Sequence, residues 1–140
     1  MLGYTYYYGA AICRIIKHPT YQRIIGCKNM SSAYIVNDAV VYFKHSTKRL
    51  TPWQFTFQNN HLQDLKELKT KFNKVYIALI CGDDGICCIS YDEFLLITSN
   101  SVEGIWITAD RSRNEKYKVK GNSGKLKNKI GNNQFPDKIL

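Results

Sequence analysis

A chain of 140 residues with a formal net charge of +9, 44% apolar and 22% charged residues, has the balance of a globular domain and not that of a disordered segment. No apolar run approaches the ~20 residues of a membrane-spanning helix, so no membrane partner is expected. The opening segment, Met1 to Tyr8, lacks the basic and apolar stretches of a secretory signal, and the five cysteines at 13, 27, 81, 87 and 88 match no disulfide framework or zinc ribbon. A reduced, cytoplasmic protein is the expectation.

In chain order, Ala10, Ile12, Ile15 and Ile16 recur on a helical period and predict a helix over 9–17. Pro19 interrupts the pattern, and a looser turn is expected over 20–26, closed by Gly26. The tyrosines between Tyr4 and Tyr8 fit an N-terminal strand or an aromatic cover for the core. Two β-rich runs, Ala33 to Val36 and Ala39 to Lys44, flank Asn37-Asp38 and predict a hairpin.

Trp53, Phe55 and Phe57 alternate with Gln54 and Thr56, which predicts a third strand with the aromatic residues inward. Asn60 with Gln63 three residues on has the form of a capping box. Behind it, Leu62, Leu65, Leu68 and Phe72 make one apolar helical stripe.

Val75 to Cys81 reads as a strand covered on both faces, and Gly82 to Gly85 as a turn into Ile86 to Ile89. Ser90 and Glu93 suggest a second capping box, opening a short helix to about Thr98. Strands are further expected over 104–109 and 117–120. The expected class is α/β or α+β: a single domain with a mixed sheet flanked by helices, in the order α-β-β-β-α-β-β-α-β. The domain is expected to span 1–120. Residues 121–140 are a basic Gly/Asn/Lys-rich tail packed on it or trailing from it, with Phe135-Pro136 or Ile139-Leu140 as anchors.

The charge is unevenly spread. Residues 1–63 carry seven bases and one acid, 64–110 four bases and eight acids, and 111–140 nine bases and two acids. Positive potential focused at two ends of a chain attracts polyanions, and nucleic acid is the commonest of these inside cells. Two segments are the candidate contacts. Lys44, His45, Lys48 and Arg49, followed by Trp53, mix cations and hydroxyls with an aromatic, as phosphate-gripping loops do. Arg111, Arg113, Lys116, Lys118, Lys120, Lys125, Lys127 and Lys129 form the second. Lys118 and Lys120 flank Val119, so both project from one face of a strand.

Gly121 to Lys125 lacks the spacing of a phosphate-binding P-loop, and His18, His45 and His61 lack a metal-ligand spacing. Buried Cys81, Cys87 and Cys88 are expected to act as small apolar residues.

The segment from Tyr34 through Lys44, followed by Pro52 to Phe57 and by Val75 to Ile89, resembles the core of the PD-(D/E)xK, or restriction-endonuclease-like, nuclease superfamily. The likeness covers about residues 10–98 and rests on the α-β-β-β-α-β order and on Lys44. Such enzymes hold Mg²⁺ with two carboxylates and use the lysine to orient or activate water. Here Tyr42 stands two residues before Lys44, no acid lies around Ser32 to Tyr34, and Asp38 falls at the turn. The resemblance therefore implies a degenerate member that binds nucleic acid without a metal cofactor. The alternatives are an active Mg²⁺-dependent nuclease whose carboxylates are rearranged onto Asp83 or Asp84, and a small protein–protein adaptor of a phage or defence system with an acidic protein partner.

Overall fold

The computed structural model describes residues 3–98 and 104–140. Its elements in chain order are α1 (Tyr4–Ile16), β1 (Ile24–Gly26), β2 (Ala33–Val36), β3 (Ala39–Ser46), β4 (Trp53–Phe57), α2 (Asn59–Lys71), β5 (Val75–Cys81), β6 (Gly85–Ser90), α3 (Tyr91–Thr98), β7 (Ile105–Asp110), β8 (Lys118–Gly121), β9 (Gly124–Lys125) and α4 (Gln134–Asp137). The class is α+β. Among the described residues no helix is long and apolar enough to cross a membrane.

The first sheet has the order β1-β2-β3-β5-β6, mixed because β3 and β5 run parallel while the other pairs are antiparallel. The hairpin between β2 and β3 turns at Asn37, whose φ of 52° lies in the left-handed region that asparagine tolerates. One face of this sheet packs Val41, Phe43, Ala78, Ile80 and Cys88 against Tyr7, Tyr8, Ala11 and Ile15 of α1 and Phe135 of α4. The other face packs Tyr42, Ile77, Leu79 and Ile89 against Leu65 and Leu68 of α2, Phe94 and Ile97 of α3, and the inner side of the second sheet.

The second sheet, β4-β7-β8-β9, is antiparallel throughout. Its inner side is Trp53, Phe55, Phe57, Ile107, Ala109 and Val119, all buried with the first sheet's residues in one core. That shared core makes the two sheets one domain. The structure thus differs from the single-sheet expectation at β4, which continues no strand of the first sheet but pairs with β7, Trp53 opposite Ala109 and Phe57 opposite Ile105.

Other boundaries shift for local reasons. The first helix begins at Tyr4, not residue 9, because Tyr7, Tyr8, Ala11 and Ile15 extend the buried stripe and the Tyr4 and Tyr8 rings meet at 5.1 Å, one turn apart. Residues 24–26 form a strand against β2 where a loose turn was expected. The cap of α2 is Gln58, not Asn60: the Gln58 side chain accepts the His61 backbone N–H, and the Gln58 N–H donates to His61 Nδ1 at 3.1 Å. The box opening α3 is as read from the sequence, with Ser90 N–H donating to Glu93 Oε1 at 2.9 Å and Glu93 N–H to Ser90 Oγ at 3.1 Å.

The final twenty residues are folded in. Gly121 and Gly124 pair across the β8–β9 turn, Ile130 bridges to Tyr117, and Phe135 and Ile139 are both buried. Lys138 Nζ donates to the Cys88 carbonyl at 2.8 Å, and Arg14 to the Phe135 carbonyl. Cys81, Cys87 and Cys88 are buried free thiols, and burial pushes the Cys88 thiol up to about 12. Thiols so disfavoured as thiolates are inert packing groups.

Candidate nucleic-acid interface

Strand alternation builds the site. On β4, β7 and β8 the odd-numbered residues Phe55, Ile107 and Val119 turn inward, so Gln54, Thr56, Trp106, Thr108, Asp110, Lys118 and Lys120 share the outer side. Thr108 stands opposite Lys120, and Lys120 opposite Lys125 on β9. Like charges directly across a ladder repel, so Lys120 and Lys125 face each other at a cost to stability. The chain then runs through Leu126, whose N–H donates to the Val119 carbonyl at 2.9 Å, and brings Lys127 and Lys129 to the same place.

The result is a groove of about 450 Å³ lined by Thr108, Asp110, Lys118, Val119, Lys120, Lys125, Leu126, Lys127 and Lys129. Among the described residues Lys118, Lys120, Lys125 and Lys127 make no ion pair or side-chain hydrogen bond, and Lys129 reaches Glu115 only at 3.9 Å. Among the described residues Asp110 is the groove's one acid, and its carboxylate accepts from the Thr51 hydroxyl at 2.5 Å.

That bond ties the first basic segment to the second. Thr51 Oγ1 also accepts the Arg111 N–H at 3.0 Å, so the loop bearing Lys48 and Arg49 lies at the end of β7 where Asp110 opposes Lys118. Arg49 is exposed there. Lys48 donates from Nζ to the Pro52 carbonyl at 2.9 Å, and its own carbonyl accepts from Trp53 Nε1 at 2.9 Å. Gly82 closes this junction: with φ at +54°, it has no room for a Cβ, which would fall 2.5 Å from the Lys48 carbonyl oxygen. Arg113 and Lys116 are exposed in the following loop.

Three candidates take other positions. Arg111 is committed inside the protein, its Nε 2.9 Å from Asp84 and its guanidinium 5.0 Å from the Tyr117 ring centroid. Tyr117 donates to the same carboxylate at 2.7 Å. Lys44 and His45 lie on opposite faces of the first sheet. His45 stacks on Tyr7 at 5.0 Å, and its pKa is lowered by burial and then by Lys44. Lys44 Nζ lies 3.3 Å from His61 Nδ1 and 5.0 Å from the Phe57 ring centroid. Because His61 Nδ1 already accepts the Gln58 N–H, it meets Lys44 as an acceptor. Burial lowers the Lys44 pKa, and among the described residues no carboxylate pairs with it.

Among the described residues one acid, Asp64, is bonded to this group. Tyr42 donates to Asp64 of α2 at 3.2 Å, and burial, then Asp64, raises the Tyr42 pKa so that the phenol stays neutral. An ammonium, an imidazole, a neutral phenol and one carboxylate do not fit Mg²⁺, which favours several hard oxygen ligands. Asp83 and Asp84, the acids expected to complete a cage, are engaged elsewhere: Asp83 accepts from Tyr6 at 3.3 Å and Asp84 pairs with Arg111, while Asp38 at the turn pairs with Lys74 at 3.3 Å. Among the described residues no group of three metal-ligating side chains occurs.

A half-buried ammonium without an anion costs stability, so Lys44→Met is expected to leave the fold unchanged or raise its stability by about 0.5–1 kcal/mol. Urea unfolding at neutral pH reads this directly. A loss of more than about 1 kcal/mol would mean that the His61 and Phe57 contacts outweigh the desolvation.

Trp106 completes the outer side and was not among the sequence candidates. Trp106 had a signal: Ile105, Ile107 and Ala109 share a parity, which places Trp106 with Thr108 and Asp110 on the opposite face. The chain matches no family model, and no curated protein or solved structure is detectably similar to it.

Proposed function

We propose that this chain is a nucleic-acid-binding protein whose contact surface is the lysine groove on the outer side of the second sheet, and that it does not cleave what it binds. The observation that carries the reading is the Lys120–Lys125 opposition within a groove that also holds Lys118, Lys127 and Lys129. Four of these ammonium groups lack a protein partner among the described residues, and a polyanion removes their mutual repulsion while releasing its own condensed counterions. Exposed Arg49 and Arg113 extend the positive surface beyond the groove.

Kinship with the restriction-endonuclease-like scaffold is part of the proposal. It is supported by the chain order of α1, the β2–β3 hairpin, β4, α2 and β5, and by the position of Lys44 on the mixed sheet between flanking helices. The pairing of β4 with β7 in a separate sheet weighs against it. The donor set around Lys44 supports the absence of metal-dependent cleavage.

The test is incubation of the purified protein with plasmid, single-stranded DNA and RNA, in Mg²⁺ or Mn²⁺ and with chelator, read by gel for both shift and cutting. The expected result is shifted, intact nucleic acid in every lane. Metal-dependent cutting that disappears with Asp64→Ala, Asp83→Ala or Asp84→Ala would establish a nuclease with rearranged carboxylates. No shift at low salt would remove the binding function itself.

A further inference from the structure

The outer side of the second sheet carries more than charge. Trp106 lies near the start of β7, opposite Thr56 of β4, with Gln54 and Thr108 on the next row along the strand. Gln54 and Thr56 are exposed, and Trp106 is partly exposed. In the register Trp106 is diagonal to Lys120, since Thr108 is Lys120's direct partner. Diagonal positions on neighbouring strands are separated by about 7–8 Å.

We infer that the groove takes single-stranded nucleic acid in preference to duplex, with an unpaired base stacked on Trp106 and the adjoining phosphates on Lys120 and Lys125. This deepens the function proposed above and rests on it. A base can stack on a partly exposed indole on the side of a sheet only when it is unpaired, because in a duplex both of its faces are already stacked. Reading a duplex through its major groove calls for an element that enters the groove, whereas this side presents the pleated surface of a four-stranded sheet. A sheet surface of hydroxyls and amide around one aromatic, bordered by lysines, is the combination that single-strand binders use: stacking for the bases and ammonium groups for the backbone. Gln54, Thr56 and Thr108 can bond base edges or a ribose hydroxyl.

The experiment compares Kd for a twelve-nucleotide oligo-dT, the corresponding oligo-U and a twelve-base-pair duplex at one salt concentration. It uses the wild type, Trp106→Ala, Trp106→Phe and the double variant Lys120→Ala/Lys125→Ala. The wild type should prefer the single strands. Trp106→Ala should weaken single-strand binding about tenfold or more and leave duplex binding within about twofold, while Trp106→Phe retains most of the affinity. The lysine double variant should weaken all three ligands.

If Trp106→Ala binds single strands like the wild type while the lysine variant does not, the groove still binds nucleic acid and the single-strand assignment is wrong. A wild type that prefers the duplex overturns it equally. If no ligand binds the wild type, the underlying function falls with it. Should Trp106→Ala not fold, quenching of tryptophan emission by oligo-dT decides. Trp53 is buried, so quenching is expected from Trp106 and should vanish in Trp106→Phe; quenching that persists there contradicts the assignment.

Discussion

Replacing Lys118, Lys120, Lys125 and Lys127 together by Ala is expected to lower the salt slope of nucleic-acid binding by about 3 units, at ~0.7–0.9 per phosphate contact. Each unit of slope is worth a decade of affinity at about 0.1 M salt, so Kd there should rise by about two to three orders of magnitude. The fold should survive, because all four side chains are exposed and Lys120 and Lys125 repel one another. Removing that repulsion makes the variant at least as stable as the parent, which thermal unfolding would read. Unchanged slope and affinity would place the interface elsewhere, with Arg49 and Arg113 the next cations to replace.

The second large effect is on stability. Leu65 is completely buried on α2, in the core shared by Tyr42, Ile77 and Phe57. Leu65→Ala should cost about 2–5 kcal/mol, the lost transfer energy plus the cavity left between helix and sheets. Leu62, one turn earlier on the same stripe, is only partly buried and should cost less. Equal, small losses at both positions in denaturant unfolding would mean that α2 is not clamped between the two sheets. The second sheet, and with it the groove, would then be less rigidly held.

Local structure was legible in the sequence wherever one face of an element is buried. The Trp53–Phe57 alternation, the Asn37-Asp38 hairpin, the Ser90–Glu93 cap and the outward Lys118 and Lys120 all follow from period and turn chemistry, and all are present. What failed was pairing between distant segments. Nothing in residues 53–57 says that their partner lies at 105–109, because a half-buried strand reads the same in either sheet. Of the two readings of the N-terminal tyrosines, a strand or an aromatic cover for the core, the structure has the cover, with Tyr7 and Tyr8 of the first helix buried in the core with Phe43.

The site was legible as a list of cations and illegible as an assembly. Lys125, Lys127 and Lys129 join Lys118 and Lys120 only because the chain reverses at Asn122-Ser123, in a segment whose glycines read equally well as loop. Arg111 looked the same as its neighbours in sequence, yet Asp84 and Tyr117 claim it, and that contact is made across 27 and 6 residues of chain. Lys44 drew attention through its place in the hairpin. Its ammonium lies instead beside His61 and Phe57, apart from the lysine groove.

Lysine footprinting tests the central claim most directly. The protein is acetylated briefly with and without a saturating oligonucleotide, and modification at each lysine is read by mass spectrometry. Protection is predicted at Lys118, Lys120, Lys125 and Lys127, with none at Lys66 and Lys69 on the exposed side of α2. Equal protection of all exposed lysines, or protection that leaves the four groove lysines fully reactive, would contradict the account.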